Sequence, residues 1–143
     1  MKIISLAFLL AFTCYVSQSL AQSSSDSLLV DGHYRGFHFI APPNLKSAGS
    51  LIFILHGSGG NGKNMITRTS NLIQRAASEN VLLVYPNGYK NYWNECRKAA
   101  SSQANMLNIN EAAYFNAMIQ YFRTKYKIND HQVFAVGTSG GGH

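Results

Sequence analysis

The sequence is 143 residues long, with 46% hydrophobic residues, 13% charged residues and 12 glycines, a composition that builds a packed core and excludes a disordered chain. Its formal charge of +6 comes from scattered lysines and arginines. The densest patch, Arg123, Lys125 and Lys127, falls at the end of a predicted helix, where it complements the helix dipole rather than forming the basic stripe that nucleic acid requires. Many α/β folds need roughly 200 to 250 residues, more than this chain offers.

The first 21 residues, MKIISLAFLLAFTCYVSQSLA, read as a secretory signal peptide: Lys2 supplies the positive end, an apolar stretch runs from Ile3 to about Val16, and small residues stand at Ser19 and Ala21. A membrane anchor needs about 20 apolar residues, and Ser17, Gln18 and Ser19 cut the run short. Lipidation at Cys14 is the weaker alternative, because Thr13 is not the small residue expected before a lipidated cysteine. A secreted location, extracellular or periplasmic, with no membrane association after cleavage, is therefore expected. Cys14 leaves with this segment and Cys96 stands alone in an oxidising compartment, so it is expected either to be buried or to pair outside these residues.

Residues 22 to 143 are expected to form part of one domain. Gln22 to Leu28 is a polar leader, and Tyr34 to Ile40 alternates like a strand that opens the domain. Ser50 to Leu55 is a short apolar run suited to a strand buried on both faces. A helix is predicted from about Asn64 to Glu79, on Met65, Leu72, Ile73, Ala76 and Ala77. Val81 to Tyr85 is the next buried strand, closed by Pro86-Asn87-Gly88. A long loop from Tyr89 to about Met106 leads to a helix from Asn108 or Asn110 to about Tyr126, with Ala112, Phe115, Met118, Ile119 and Phe122 at helical spacing. Val133 to Val136 is the third buried strand. Strands alternating with helices of this length predict a parallel sheet covered on both faces.

The segment LIFILHGSGGNGKN, Leu51 to Asn64, satisfies G-x-G-x-x-G and comes one residue short of a phosphate-binding P-loop. Asn64 stands where the P-loop places its magnesium-binding hydroxyl. A dinucleotide site needs an acidic residue at the tip of the second strand, where Tyr85-Pro86-Asn87 has none. Gly137-Thr138-Ser139-Gly140-Gly141, directly after the apolar run QVFAV, is a G-x-S-x-G nucleophile elbow. Its serine must occupy a strained strand-to-helix turn, and the flanking glycines give the backbone room to bend. On this reading the anion held by the first loop is the oxyanion of a tetrahedral acyl intermediate. The donors would be the N–H of Gly140 and one from the first loop near Ser58 or Gly59, within the motif His56, Gly57, Ser58, Gly59, Gly60.

The stretches VDGHYRGFHFIAPPN, VLLVYPNG, YWNECR, NINEAAYF and VFAVGTSGGGH, with the glycine loop, resemble the secreted α/β-hydrolase esterases of the polyhydroxybutyrate depolymerase and feruloyl esterase type, from about Leu29 to His143. The elbow and the HGxGG loop are shared by many hydrolases; the "YPNG" and "WN" pair before "NINEAAYF" points to this group. The resemblance implies an α/β-hydrolase fold truncated after the nucleophile elbow. It also implies a serine esterase, with a polyester, feruloyl or acetyl ester as substrate; no cofactor is expected, no His or Cys spacing suggests a metal site, and the scattered charge suggests no nucleic-acid partner.

In such enzymes Ser139 attacks the ester carbonyl, a histidine is the base and an acidic residue orients it. The order is serine, acid, histidine, so the triad acid and base are expected downstream and are not in this sequence. His143 is expected to ride on the nucleophile's own helix, and His33, His38 and His131 read as surface or strand-end residues. Asp130 reads as a turn cap and Glu111 as a first-turn helix residue. Trp93 and Asn94 either shape the cleft or cover the core. Two alternatives stand beside the esterase: a non-catalytic remnant or binding protein on a partial scaffold, and a secreted serine peptidase of the same fold.

Overall fold

A computed structural model describes residues 22–97 and 99–143; the expected signal peptide lies outside the described residues. Five strands form one sheet in the order β1-β2-β4-β3-β5: β1 Ser23–Val30, β2 His33–Ile40, β3 Ser50–Leu55, β4 Val81–Pro86 and β5 Val133–Gly137. Among the described residues four helices accompany them: α1 Gly62–Arg68, α2 Ser70–Ser78, α3 Gln103–Met106 and α4 Glu111–Tyr126. A 3-10 turn spans Ser139–Gly142. Among the described residues no helix is long and apolar enough to cross a membrane.

The sheet is mixed, not wholly parallel. β3 pairs in parallel with both β4 and β5, whereas β1 with β2 and β2 with β4 are antiparallel. The polar leader is in fact β1. Its run of serines has no apolar alternation to offer a core, but the strand lies at the sheet edge and is exposed along most of its length, so backbone pairing along β2, from Ser23↔Ile40 to Val30↔His33, holds it instead. The joining pair Asp31-Gly32 has φ of +46° and +80°, the two-residue hairpin turn that aspartate and glycine favour. So short a connection permits only antiparallel neighbours.

The central strands are buried on both faces, and alternate residues serve two cores. Leu51, Phe53, Leu82 and Val84 pack with Phe37, Phe39, Tyr114, Met118 and Phe122 beneath α4. Ile54, Leu83 and Tyr85 pack with Met65 and Ala76 beneath α1 and α2. The predicted helix from Asn64 to Glu79 is therefore two. Asn61 caps the first, its Oδ1 accepting the Asn64 N–H at 2.9 Å, and Thr69 separates them. The Thr69 hydroxyl donates to the Met65 carbonyl at 2.7 Å, a competing side-chain bond that interrupts helices.

Helix α4 starts at the Asn110 cap, whose Oδ1 accepts the Ala113 N–H at 3.0 Å. It ends at Lys127, which has φ +53°. Its buried stripe is Tyr114, Met118 and Phe122, with Ala112 exposed. Tyr114 can lie at the core because its hydroxyl donates to the Gly36 carbonyl at 2.7 Å, as a buried phenol requires. Burial pushes that phenol well above its ordinary pKa. The basic patch at the helix end is locally engaged: Arg123 pairs with Asp130 at 2.8 Å. The turn there is capped by Asn129, which accepts the His131 N–H at 3.0 Å, rather than by Asp130.

Two features of this architecture are measurable. Arg35, 3% exposed, pairs with Glu111 at 2.7 Å and its guanidinium lies 4.2 Å from the Tyr114 ring centre. Removing one member of a buried pair leaves the other charge uncompensated. Arg35→Met should therefore lower the stability of the full-length protein by about 3 kcal/mol, read as a shifted urea midpoint with unchanged slope. At the other side of the sheet, β5 is an edge with Phe134 and Val136 more than half exposed, the kind of apolar edge that templates association. Residues 22–143 produced alone should sediment as oligomers and bind ANS, and Phe134→Lys should reduce both.

Candidate active site

The site lies where β3 and β5 end. Because the two are parallel and paired, with Leu55 opposite Gly137, their carboxyl ends stand side by side and the chain leaves both strands at the same edge. That edge is where parallel α/β sheets hold ligands. The turn after β5 carries Ser139 at φ +50°, a left-handed conformation costly for a side-chain residue. It is held by Thr138 N–H to the Leu55 carbonyl at 3.3 Å and Gly141 N–H to the Thr138 carbonyl at 3.0 Å. A Cβ at Gly137 would come within 2.1 Å of the Gly141 carbonyl oxygen, and one at Gly141 within 2.5 Å of the His56 carbonyl oxygen. Both positions exclude any side chain.

The loop after β3 runs against this turn. A Cβ at Gly57 would lie 3.3 Å from the Ser139 Cβ, and one at Gly140 would lie 3.3 Å from the Ser58 nitrogen. The Ser58 nitrogen thus lies close to Gly140, and neither the Ser58 nor the Gly140 N–H has an acceptor among the described residues. Gly59 is different: its N–H donates to the Asn91 carbonyl at 2.9 Å, and it turns the loop at φ +76°. A cleft of about 500 Å³ opens beside Ser139, lined by Gly57, Ser58, Asn61, Asn64 and Arg68 among others.

Other amides of the loop are already engaged. Gly60 N–H donates to the Gly57 carbonyl, Gly62 N–H to Asn87 Oδ1 at 2.7 Å and Asn64 N–H to Asn61. A phosphate cradle would need such amides free.

His56 is the support of this loop. Only 1% exposed, it accepts the Gly88 N–H on Nε2 at 2.9 Å, so Nδ1 carries the proton and donates to the Gly57 carbonyl at 2.7 Å. Both ring nitrogens are engaged, and burial holds its pKa below the ordinary 6.5. Trp93 Nε1 donates to the His56 carbonyl at 2.7 Å, and the two rings lie 4.8 Å apart. Trp93 is therefore a core residue beneath the site. Asn94 ties the long loop to α4: its N–H donates to Glu111 Oε1 at 3.1 Å and its side chain to the Ile109 carbonyl.

In the sequence Asn87 and Gly88 read only as the close of β4, and Trp93 as either a cleft or a core residue; in the structure all three support the loop after β3. Their signal was the buried histidine, whose ring needs partners on both sides.

Of the other histidines, His33 packs edge-on against Tyr89, His38 lies on β2, and His131 is exposed. His143 closes the turn through its own N–H to the Gly140 carbonyl at 3.4 Å. No histidine is hydrogen-bonded to Ser139 among the described residues. Cys96 is exposed, not buried, with its thiol 3.2 Å from the His143 carbonyl oxygen, because the loop carrying it runs over the surface of the elbow.

Parallel strands with crossover helices, ending in a glycine-flanked serine turn, define the α/β-hydrolase fold, and solved structures agree. An S-formylglutathione hydrolase from Staphylococcus aureus matches with a TM-score of 0.60 at 14% identity, over 86% of this chain and 49% of that one. An acetyl xylan esterase from Aspergillus awamori matches with a TM-score of 0.61 at 19% identity, over 82% and 43%. A cold-adapted esterase from an Arctic intertidal metagenomic library gives 0.61 at 15% identity, over 85% and 52%. The chain thus spans about half the length of these structures. No family model matches the sequence, and no curated protein matches it.

The buried, neutral His56 has a pH signature. A lowered folded-state pKa means that below 6.5 the unfolded chain binds a proton that the folded chain refuses, so stability falls as pH drops from 6.5 towards the folded value. His38, also lowered by burial, adds to the slope. By NMR the His56 ring should titrate below 6.5, and His56→Gln should flatten, without abolishing, the loss of stability between about pH 6.5 and 5. An ordinary His56 titration would contradict its engaged geometry.

Proposed function

We propose that the full-length protein is a secreted serine esterase of the polyhydroxybutyrate depolymerase and feruloyl esterase kind, acting through an acyl-enzyme on Ser139. One observation carries the reading: Ser139 is exposed on a left-handed backbone turn beside two amides without acceptors. Such geometry holds a nucleophile and a charge-binding pocket together before substrate arrives.

Ser139 Oγ attacks the ester carbonyl carbon while its proton passes to a histidine base. The carbonyl oxygen becomes an anion accepted by the N–H groups of Ser58 and Gly140, with Gly59 shaping the loop instead of donating. The intermediate collapses to an acyl-serine as the base protonates the departing alcohol, and water reverses the sequence to release the acid. His56 cannot be the base, since both its nitrogens are bound to backbone. The acid and base belong to the part of the fold that this chain does not span. The esterase names among the structural neighbours support ester over amide substrates, and the apolar leader supports export.

Ser139→Ala in the full-length protein should lower kcat for p-nitrophenyl acetate by something on the order of 10⁶, as for other triad serines. A loss of less than about tenfold with the fold intact would remove Ser139 from the mechanism. Parallel rates on the matching anilide separate an esterase from a peptidase.

A further inference from the structure

A carboxylate stands beside the two amides assigned to the oxyanion. Glu95, its side chain 5% exposed, places Oε2 so close to Gly140 that a Cβ there would lie 2.7 Å from it and 2.4 Å from Ser58 Oγ. The residue is held in place from behind: Asn105 Nδ2 donates to the Glu95 carbonyl at 2.9 Å, and Ser102 Oγ and Asn94 fix Asn105 in turn. A fixed, nearly buried negative charge at this point opposes the negative charge that develops on the substrate oxygen. The structure supplies its counterpart. Arg97 grips Glu95 Oε1 through both Nε and Nη2, and the same Nη2 reaches Ser58 Oγ at 3.4 Å.

We infer that Arg97 is a positioning residue for the oxyanion hole that acts through its charge: it neutralises Glu95 beside Gly140. The inference rests on the esterase reading of this site. Arg97 is about half exposed, so a contribution to stability is modest, whereas the carboxylate it neutralises is shielded from water and close to the reacting atoms. The effect therefore falls on the transition state. An ester carbonyl is neutral in the ground state and anionic in the tetrahedral intermediate, so an uncompensated Glu95 slows the chemical step and leaves substrate binding nearly unchanged.

The test uses the full-length protein and p-nitrophenyl acetate, with Ser139-dependent hydrolysis by the unaltered protein established first. Arg97→Gln should lower kcat by about tenfold to a hundredfold with KM changed less than about threefold. Removing the stranded charge in Glu95→Gln/Arg97→Gln should restore most of kcat, and Arg97→Lys should retain most of it, while thermal melts stay within a few degrees.

A kcat for Arg97→Gln within twofold of the unaltered protein overturns the inference, as does a double variant no better than the single one. Should the double variant fail to fold, Arg97→Gln against Arg97→Lys decides alone: equal losses mean that shape and not charge matters, and the inference falls. If the unaltered protein shows no Ser139-dependent hydrolysis, the esterase reading fails and takes this inference with it; if only the Arg97 variants disagree, that reading stands.

Discussion

The parallel pairing of β3 with β5 is the constraint on which the rest of the site depends. It sets Leu55 level with Gly137, so the His56 loop and the Ser139 turn must emerge together and pack against one another. Glycine is required where they meet, because the His56 carbonyl occupies the space of a Gly141 side chain and the Gly141 carbonyl that of a Gly137 side chain. The positive φ of Ser139 follows from the same crowding: the chain must reverse at once over a neighbouring backbone. The long-range cost of a parallel pair is met by burying β3 on both faces, between α4 on one side and α1 with α2 on the other.

A second layer of support runs through His56 and Arg35. The imidazole joins the β3 loop to Gly88 after β4 and, through its carbonyl, to Trp93. Arg35 on β2 reaches Glu111 at the start of α4 and the Asn87 carbonyl after β4, and Glu111 in turn accepts the Asn94 N–H. Strands β2, β3 and β4, the long loop and α4 are therefore coupled by buried polar groups whose bonds join residues distant in sequence. Such networks cost stability when incomplete and confer a single geometry when complete. The Arg35 Nε, buried without a partner, is the one side-chain atom among the described residues that this network leaves unpaired.

Much of this was legible along the chain. β3 and β4 are short apolar runs, and buried parallel strands have no other signature; β5 reads the same way, but it lies at the sheet edge and is largely exposed, because among the described residues no further strand or helix covers it. The Ser139 turn was legible because its crowded backbone demands glycines at fixed offsets from the serine. Four features were not. β1 is polar, since an edge strand held by backbone pairing needs no apolar alternation, although Asp31-Gly32 marked its hairpin. The break at Thr69 arises from a hydroxyl that competes with the helix. The buried stripe of α4 shifts to Tyr114 because Gly36 on another strand accepts its hydroxyl. The commitment of the Gly59 amide to Asn91 depends on a loop some thirty residues onward.

By itself, then, the sequence determined what periodicity and local stereochemistry can carry: the apolar strands β2 to β5 and the helix α4, that they layer as an α/β sheet, and that Ser139 lies in a turn built for a strained serine. Only the tertiary structure decided which groups face that serine. Whether a backbone amide is free, whether His56 is a base or a buttress, and whether Glu95 stands alone or beside Arg97 are all settled by neighbours that come from other elements. The physical reason is that hydrogen bonds and charge interactions act over a few ångströms of space, and in a parallel sheet those ångströms join residues that lie tens of positions apart in the chain.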